Sequence, residues 1–596
     1  MAALFTTPKR NDKTSGAHFV EPDVRRRTLL AHGSWRRVTR RIVVGAVCAL
    51  TVSSLLMPSV SLAAEWVDVG GVRHEAAAGP AGDAAGTWSW DGADDMKLNG
   101  YNGGVIEAAG KLNIAYEGKN TVKTEPDYTG AAIKAQDGTS QKAELNITSS
   151  NSTDELNVAA ETDAIKSTGD LSISGPGTVN TTSTTADGIE AKGDLSITGS
   201  GTVNATGGTE GIQSKGKTTI DSSGTVIAKG NESYGISAGS DLIIKGGGKV
   251  EASSIEKAAI WADDGITISG GSQVKANSEG DLAVDAEGSL AVTNASLNAS
   301  GVEYGVYGRK GVTLDHATVT VRASAGGGWQ TVALITDEDD IVIKNGSIVD
   351  AFAEGEFSTA ISTRNYNPNE AGGHIYISDS VVKAIARYTE TGGDGPDCYS
   401  GDQDGEIVPE SQGLNIGIFA QTREGITPAT ISIVRSKVTA EGDTAAIFAL
   451  AMSADGEAIG TIEIEGSTIL TPEGGKVIDY RNKEELSNGD IYEAGQTIGT
   501  GDATIDSPYD AAVAKSTVIV PPEEIKPEEK PGETKPEGSK SEGTKTSRTV
   551  AVAATGAKTT GKLAATGDTS GAAIVATALA GTAAIAAGAV VSRKRS

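Results

Sequence analysis

Apolar residues recur along the middle of this chain with a period too long for one helix or strand. Ile165, Ile189, Ile212, Ile236, Ile260, Val284 and Val306 each follow a Gly or Ala, and they stand 24, 23, 24, 24, 24 and 22 residues apart. Ile106 and Ile133 precede this file, and Leu334, Ile361, Ile418 and Ile447 continue it. Six residues after the anchor comes an alternating apolar pair: Leu171/Ile173, Leu195/Ile197, Leu242/Ile244, Ile266/Ile268 and Leu290/Val292. A β-branched residue then follows, with Ala two positions on, as in Val203/Ala205, Val226/Ala228, Val250/Ala252 and Val274/Ala276. Alternation at period two predicts strands with one buried face. Gly clusters such as Gly246-Gly247-Gly248 and Gly270-Gly271 separate the strands and supply corners with positive φ.

Three short strands in a unit of about 24 residues predict a solenoid. The fold class is all-β: a right-handed parallel β-helix in which each strand stacks on its counterpart one coil away. The right hand follows from the strong preference for right-handed crossovers between parallel strands. About thirteen coils give a stack of roughly 60 Å at about 4.8 Å per coil. An array of β-sandwiches is the alternative, but a unit this short cannot close a sandwich by itself.

Composition fits a thin stack rather than a globular core. Aromatics are 4 % of the 596 residues and glycines number 77. The formal charge is −27, which argues against nucleic acid as a partner. Residues 1–63 carry +7 and residues 567–596 carry +2, so the chain between them carries −36. Of the two cysteines, Cys48 falls in an apolar leader and Cys398 is left unpaired, which excludes a disulfide framework.

The ends carry targeting patterns. A basic stretch through Arg36, Arg37, Arg40 and Arg41 leads into an apolar run from Ile42 to Met57, then Ser61-Leu62-Ala63. This is the order of a secretory signal peptide over 1–63. Near the other end stand Leu563, Ala564, Ala565, Thr566 and Gly567, then an apolar stretch from Gly571 to Val591 and the basic tip Arg593-Lys594-Arg595. This order resembles the sorting signal of Gram-positive sortase-anchored wall proteins. The resemblance implies cleavage between Thr566 and Gly567, transfer of Thr566 to a cell-wall peptide, sortase as a partner, and a secreted chain covalently attached to the cell wall. Ala564 stands where the commonest form of the motif has Pro.

The remaining boundaries are a linker over 64–86, the β-helix over 87–480 with an acidic insertion near 389–413, and a capping segment over 481–520. A Pro-rich spacer follows over 521–562, then the sorting signal with its transmembrane helix over 563–596. The start of the β-helix, Trp88-Ser89-Trp90-Asp91-Gly92 followed by Leu112-Asn113-Ile114 and Asn120-Thr121-Val122, resembles the first coil of bacterial surface β-helix proteins. That family includes carbohydrate-binding members with calcium in their loops. The resemblance implies a host or matrix polysaccharide as partner. The Trp pair is expected to cap the open end of the helix, a structural role.

Two candidate sites follow from the residues. The residue after each anchor points outward. From Ile165 onward it reads Lys166, Glu190, Gln213, Ser237, Trp261, Asp285, Tyr307, Ile335, Ser362, Phe419 and Phe448. Trp261, Tyr307, Phe419 and Phe448 are candidate stacking surfaces for sugar rings, unless a loop packs over them. In the insertion, Asp394, Asp397, Asp402, Asp404 and Glu406 alternate with glycines and are candidate Ca2+ ligands, a solvated acidic loop being the simpler reading. The expected work is display and adhesion through carbohydrate binding, with no catalytic residues. A polysaccharide lyase or hydrolase is the alternative, drawing on Arg435-Ser436-Lys437 and the pairs Asp263-Asp264 and Asp339-Asp340. A purely structural spacer is the third reading.

Overall fold

A computed structural model describes residues 63–139, 141–324, 330–365, 372–389, 415–422, 429–451, 460–479, 497–502 and 514–522. The expected signal peptide, acidic insertion, spacer and sorting signal lie outside the described residues. Among those described there is no α-helix, and hence none long and apolar enough to cross a membrane; the one helical turn is a 3-10 turn at Ala76–Ala78.

Strands stack in parallel into three long sheets, giving a β-helical solenoid. In the first sheet the anchors pair in a single register. Ile106, Ile133, Ile165, Ile189, Ile212, Ile236 and Ile260 run on into Val284, Val306, Leu334, Ile361, Ile418 and Ile447. All thirteen are fully buried. The alternating pairs form the second sheet, with Leu171 on Leu195 and Ile173 on Ile197. The third sheet carries Val179, Val203, Val226, Val250 and Val274 in one file. Each such side chain contributes about 2 kcal/mol by leaving water, so a regular file of them fixes the register. A slip of one residue would turn every one of them outward.

One core position departs from the apolar rule. Thr218 stands where the neighbouring coils have Leu195 and Leu242, and it is fully buried. Its hydroxyl lies 2.7 Å from that of Ser214, which donates 2.9 Å to the Gly216 carbonyl. The polar pair satisfies itself, as burial demands.

The corner between the second and third sheets changes chemistry along the stack. Early coils turn on glycine, as at Gly199, where φ is 101° and an added Cβ would meet the Gly175 carbonyl oxygen at 2.6 Å. Later coils turn on Asn294, His316, Asn345, Asp379 and Arg435, with φ between 44° and 57°. Three of these, Asn345, Asp379 and Arg435, carry side chains that bond between coils. The Arg435 guanidinium grips the Asp379 carboxylate at 2.7 and 2.6 Å, and the Asn345 amide reaches Asp315 at 2.9 Å.

The segment 64–86, expected as a linker, is part of the fold. Trp66–Val69 forms a hairpin with Val72–Glu75 and runs antiparallel to Ile106–Ala109, closing the open edge of the first sheet. Val67 is fully buried there. Ala81–Gly82, Trp88–Trp90 and Asp95–Asn99 close the second sheet in the same antiparallel way. Trp88 and Trp90 are buried, with the Trp90 indole N–H donating 2.9 Å to the Ala93 carbonyl. An edge of unpaired backbone groups is thereby covered. At the other end, Ser516–Val520 pairs antiparallel with both Lys437–Gly442 and Thr468–Thr471.

Candidate functional site

The outer face of the first sheet holds the densest chemistry. Each strand is short, as in Ile189–Ala191 and Ile260–Ala262, so one outward residue per coil follows the anchor. Lys166, Glu190, Gln213, Ser237, Trp261, Asp285 and Tyr307 stand one above the next. A second column, two residues before each anchor, lies beside the first: Asp163, Asp187, Glu210 and Tyr234. The sequence repeats this column as openly as the anchors, in Asp163-Ala164-Ile165 through Tyr234-Gly235-Ile236, but its chemistry appears only when the coils are stacked.

The early coils form a neutralised ladder. The Lys166 ammonium bonds the Asp163 carboxylate at 2.7 Å and also pairs with Glu190, which Lys192 meets as well. Burial works against charge on Glu190, but the two ammonium groups prevail and hold its carboxyl below the usual range. Carboxylates also cap the backbone of the next coil: the Asp187 N–H donates to Asp163 at 3.3 Å, and the Glu210 N–H to Asp187 at 3.1 Å. Asp187 has no lysine of its own, and burial together with the Glu210 charge pushes it up to about 7. Burial also raises Glu210, against the hydrogen bonds it accepts from Ser237 and Gln213. Asp163, Asp187 and Glu190 each offer a carboxylate oxygen within 4.8 Å of the others, a geometry that could hold a cation. Lys166 and Lys192 supply that positive charge already. The residues expected to bind calcium, Asp394, Asp397, Asp402, Asp404 and Glu406, lie outside the described residues.

The next coils are aromatic. Tyr234 and Trp261 stack with ring centroids 5.3 Å apart and planes 16° from parallel, both half-buried. Asp285 follows Trp261 in register, and Tyr307 follows Asp285. Burial, then the charges of Glu287 and Asp281, push Asp285 up to about 7, and its Oδ1 is enclosed without a hydrogen-bond donor. Tyr307 lies 6.0 Å from Tyr304, and its hydroxyl donates 3.0 Å to Asp337. The Arg364 guanidinium sits 5.5 Å above the Tyr304 ring and bonds Asp337 at 3.1 Å.

The expected stripe of four aromatics is therefore two. Trp261 and Tyr307 are half-buried, whereas Phe419 and Phe448 are 4 % and 0 % exposed. The physical reason is that their strands are enclosed on both faces: every residue of Ile416–Thr422 is buried, in a sequence apolar at consecutive positions. Phe419 and Phe448 pack on each other with centroids 6.3 Å apart. They belong to the interior.

Four of the seven residues behind the enzymatic alternative make contacts within the solenoid. Arg435 is a corner residue paired with Asp379, and Ser436 is fully buried. Asp264 accepts a hydrogen bond from Ser240 at 3.2 Å, and Asp340 accepts the His374 backbone N–H at 3.0 Å.

No curated protein and no solved structure matches the chain. A family model described as "Carbohydrate-binding domain-containing protein" matches residues 102–238, the coils that hold the acid–lysine ladder and include Tyr234, and this supports a carbohydrate-binding protein.

Proposed function

We propose that this chain is a secreted surface protein, anchored by sortase through Leu563–Gly567 to a Gram-positive cell wall, whose β-helix binds a host or matrix polysaccharide for adhesion. The winding is right-handed, and calcium held by the 394–406 acidic segment assists. The observation that carries the binding reading is the half-exposed Tyr234–Trp261 stack. It adjoins the coils that the carbohydrate-binding family model matches. Flat rings on an extended sheet offer the apolar faces that sugar rings stack on, and the half-buried Asp285 supplies a polar group beside them.

A glycan array probed with the secreted chain tests this reading, with and without a calcium chelator. Trp261→Ala is expected to weaken binding about ten-fold, the loss of one stacking platform. An array without hits, or Trp261→Ala binding as the wild type does, would refute the platform. Chelation is expected to weaken binding, and its failure to do so removes calcium from the proposal. Covalent linkage of Thr566 to wall peptide, read by mass spectrometry of muramidase digests, tests the anchoring. A second reading, a polysaccharide-cleaving enzyme, draws on Asp187 and Asp285, carboxyls that hold protons near neutral pH as a general acid must. Release of reducing ends from a bound glycan would favour it.

A further inference from the structure

We infer that the saccharide taken at the Tyr234–Trp261 platform carries a protonated amine, as a glucosamine-type residue does, and that Asp285 is its counter-ion. This deepens the carbohydrate-binding reading and rests on it. In the outward file, Asp285 stands between Trp261 on one side and Tyr307 on the other. Tyr234 stacks behind Trp261, and Tyr304 lies beside Tyr307. Two aromatic residues thus flank one carboxylate in the file, each with a second ring beside it, and of these second rings Tyr304 already carries the Arg364 guanidinium.

The charges around that carboxylate are one-sided. Asp281 and Glu287 act on it, and Glu210, Asp281, Asp285 and Glu287 all act on the Tyr234 hydroxyl. The nearby cations are committed elsewhere. Arg309 bridges Glu287 and Glu338 at 3.0 and 2.7 Å, and Lys257 acts on Asp281. The Asp285 Oδ1 is enclosed with no donor, which is costly for a carboxylate. Aromatic faces attract a cation through their quadrupoles, and a carboxylate among them completes the recognition of an ammonium group. A uronate brought to the same rings meets like charge from Asp285, Asp281 and Glu210. A neutral sugar stacks but leaves Asp285 without a partner. The same groups therefore favour one class and reject another.

Calorimetry with the full secreted chain at near-neutral pH and low salt tests the inference. The probes are a glucosamine tetramer, its N-acetylated counterpart, a galacturonate tetramer, and choline as a cation without a sugar. The glucosamine tetramer is expected to bind about ten-fold tighter than the N-acetylated one. Asp285→Asn is expected to abolish that preference, with the β-sheet circular dichroism and cooperative melting of the variant showing that it is folded. Equal or tighter binding of the N-acetylated or galacturonate tetramer would overturn the amine. So would a preference that survives in Asp285→Asn, or choline binding as tightly as the glucosamine tetramer. Absence of binding to every saccharide would overturn the carbohydrate reading itself, and with it this inference.

Discussion

Glu190 and Asp285 occupy the same place in the repeat, one residue after the anchor on the outer face of the first sheet, four coils apart. Their surroundings drive them in opposite directions. Glu190 is deeply buried, yet Lys166 and Lys192 hold it ionised. Asp285 lies among rings and other acids, and burial, then the charges of Glu287 and Asp281, push its carboxyl up to about 7. Burial alone does not decide charge on this face; the sign of the charges beside each carboxyl does. In one stretch two lysines offset Asp163 and Glu190, and the remaining acids Asp187 and Glu210 are raised by burial. The other is left with an unmet carboxylate between aromatic rings, the condition expected of a surface that meets a ligand.

The largest effect expected from breaking this contrast is at Lys166. Lys166→Met leaves Asp163 facing Glu190 across buried space with only Lys192 to offset them. Removing one partner of a buried pair costs about 3 kcal/mol. Chemical denaturation at neutral pH should show that loss. A variant as stable as the wild type would mean the ladder is not the neutralised structure described above.

Asp285 should respond in the opposite sense. Its folded pKa of about 7 lies above the ordinary 3.8, so the folded chain holds this proton more tightly than the unfolded chain does. Its contribution to stability is fully present below the unfolded pKa and is lost as pH rises through the folded value. Asp187 behaves likewise, with a folded value also of about 7. The melting temperature should therefore fall as pH rises from about 4.5 to about 7. Asp285→Asn should stabilise the unliganded chain by about 2 kcal/mol at the alkaline end and by almost nothing at the acid end. Glu190 does not confuse this window, because its depressed pKa places its own loss of stability below 4.5. A pH-independent gain would mean that packing, not charge, distinguishes Asp285.

The two stretches were not equally legible in the sequence. The anchors, the alternating pairs and the valine file were, because burial in a solenoid leaves a one-dimensional imprint: each coil repeats the same demand about 24 residues on. The cap over 64–86 left no such imprint. Its strands are antiparallel, occur once, and gain their partner from Ile106–Ala109 some forty residues away. Trp261 could be placed on the outer face by counting, but its stacking on Tyr234 could not, because Tyr234 belongs to a neighbouring column of the preceding coil. Glu190 and Asp285 look alike in sequence for the same reason. Phe419 and Phe448 were misplaced by period-two counting alone. The run Ile416-Gly417-Ile418-Phe419-Ala420 is apolar at both parities, which is the mark of a strand buried on both sides.

The smallest effect concerns the interior beneath the ladder. Thr218 breaks the apolar file between Leu195 and Leu242 at the start of its second-sheet strand, and the sequence offers no reason why a polar residue should be tolerated there. The structure supplies one, since Ser214 meets its hydroxyl and passes the hydrogen bond to the Gly216 carbonyl. Thr218→Val keeps the shape, removes one hydrogen bond worth about 1 kcal/mol and buries one methyl group worth about as much. The Ser214 hydroxyl keeps its carbonyl acceptor, so no donor is stranded. Stability should change by no more than about 0.5 kcal/mol, measured by chemical denaturation beside Lys166→Met. A loss several-fold larger would show that the Ser214–Thr218 pair holds the corner of this coil.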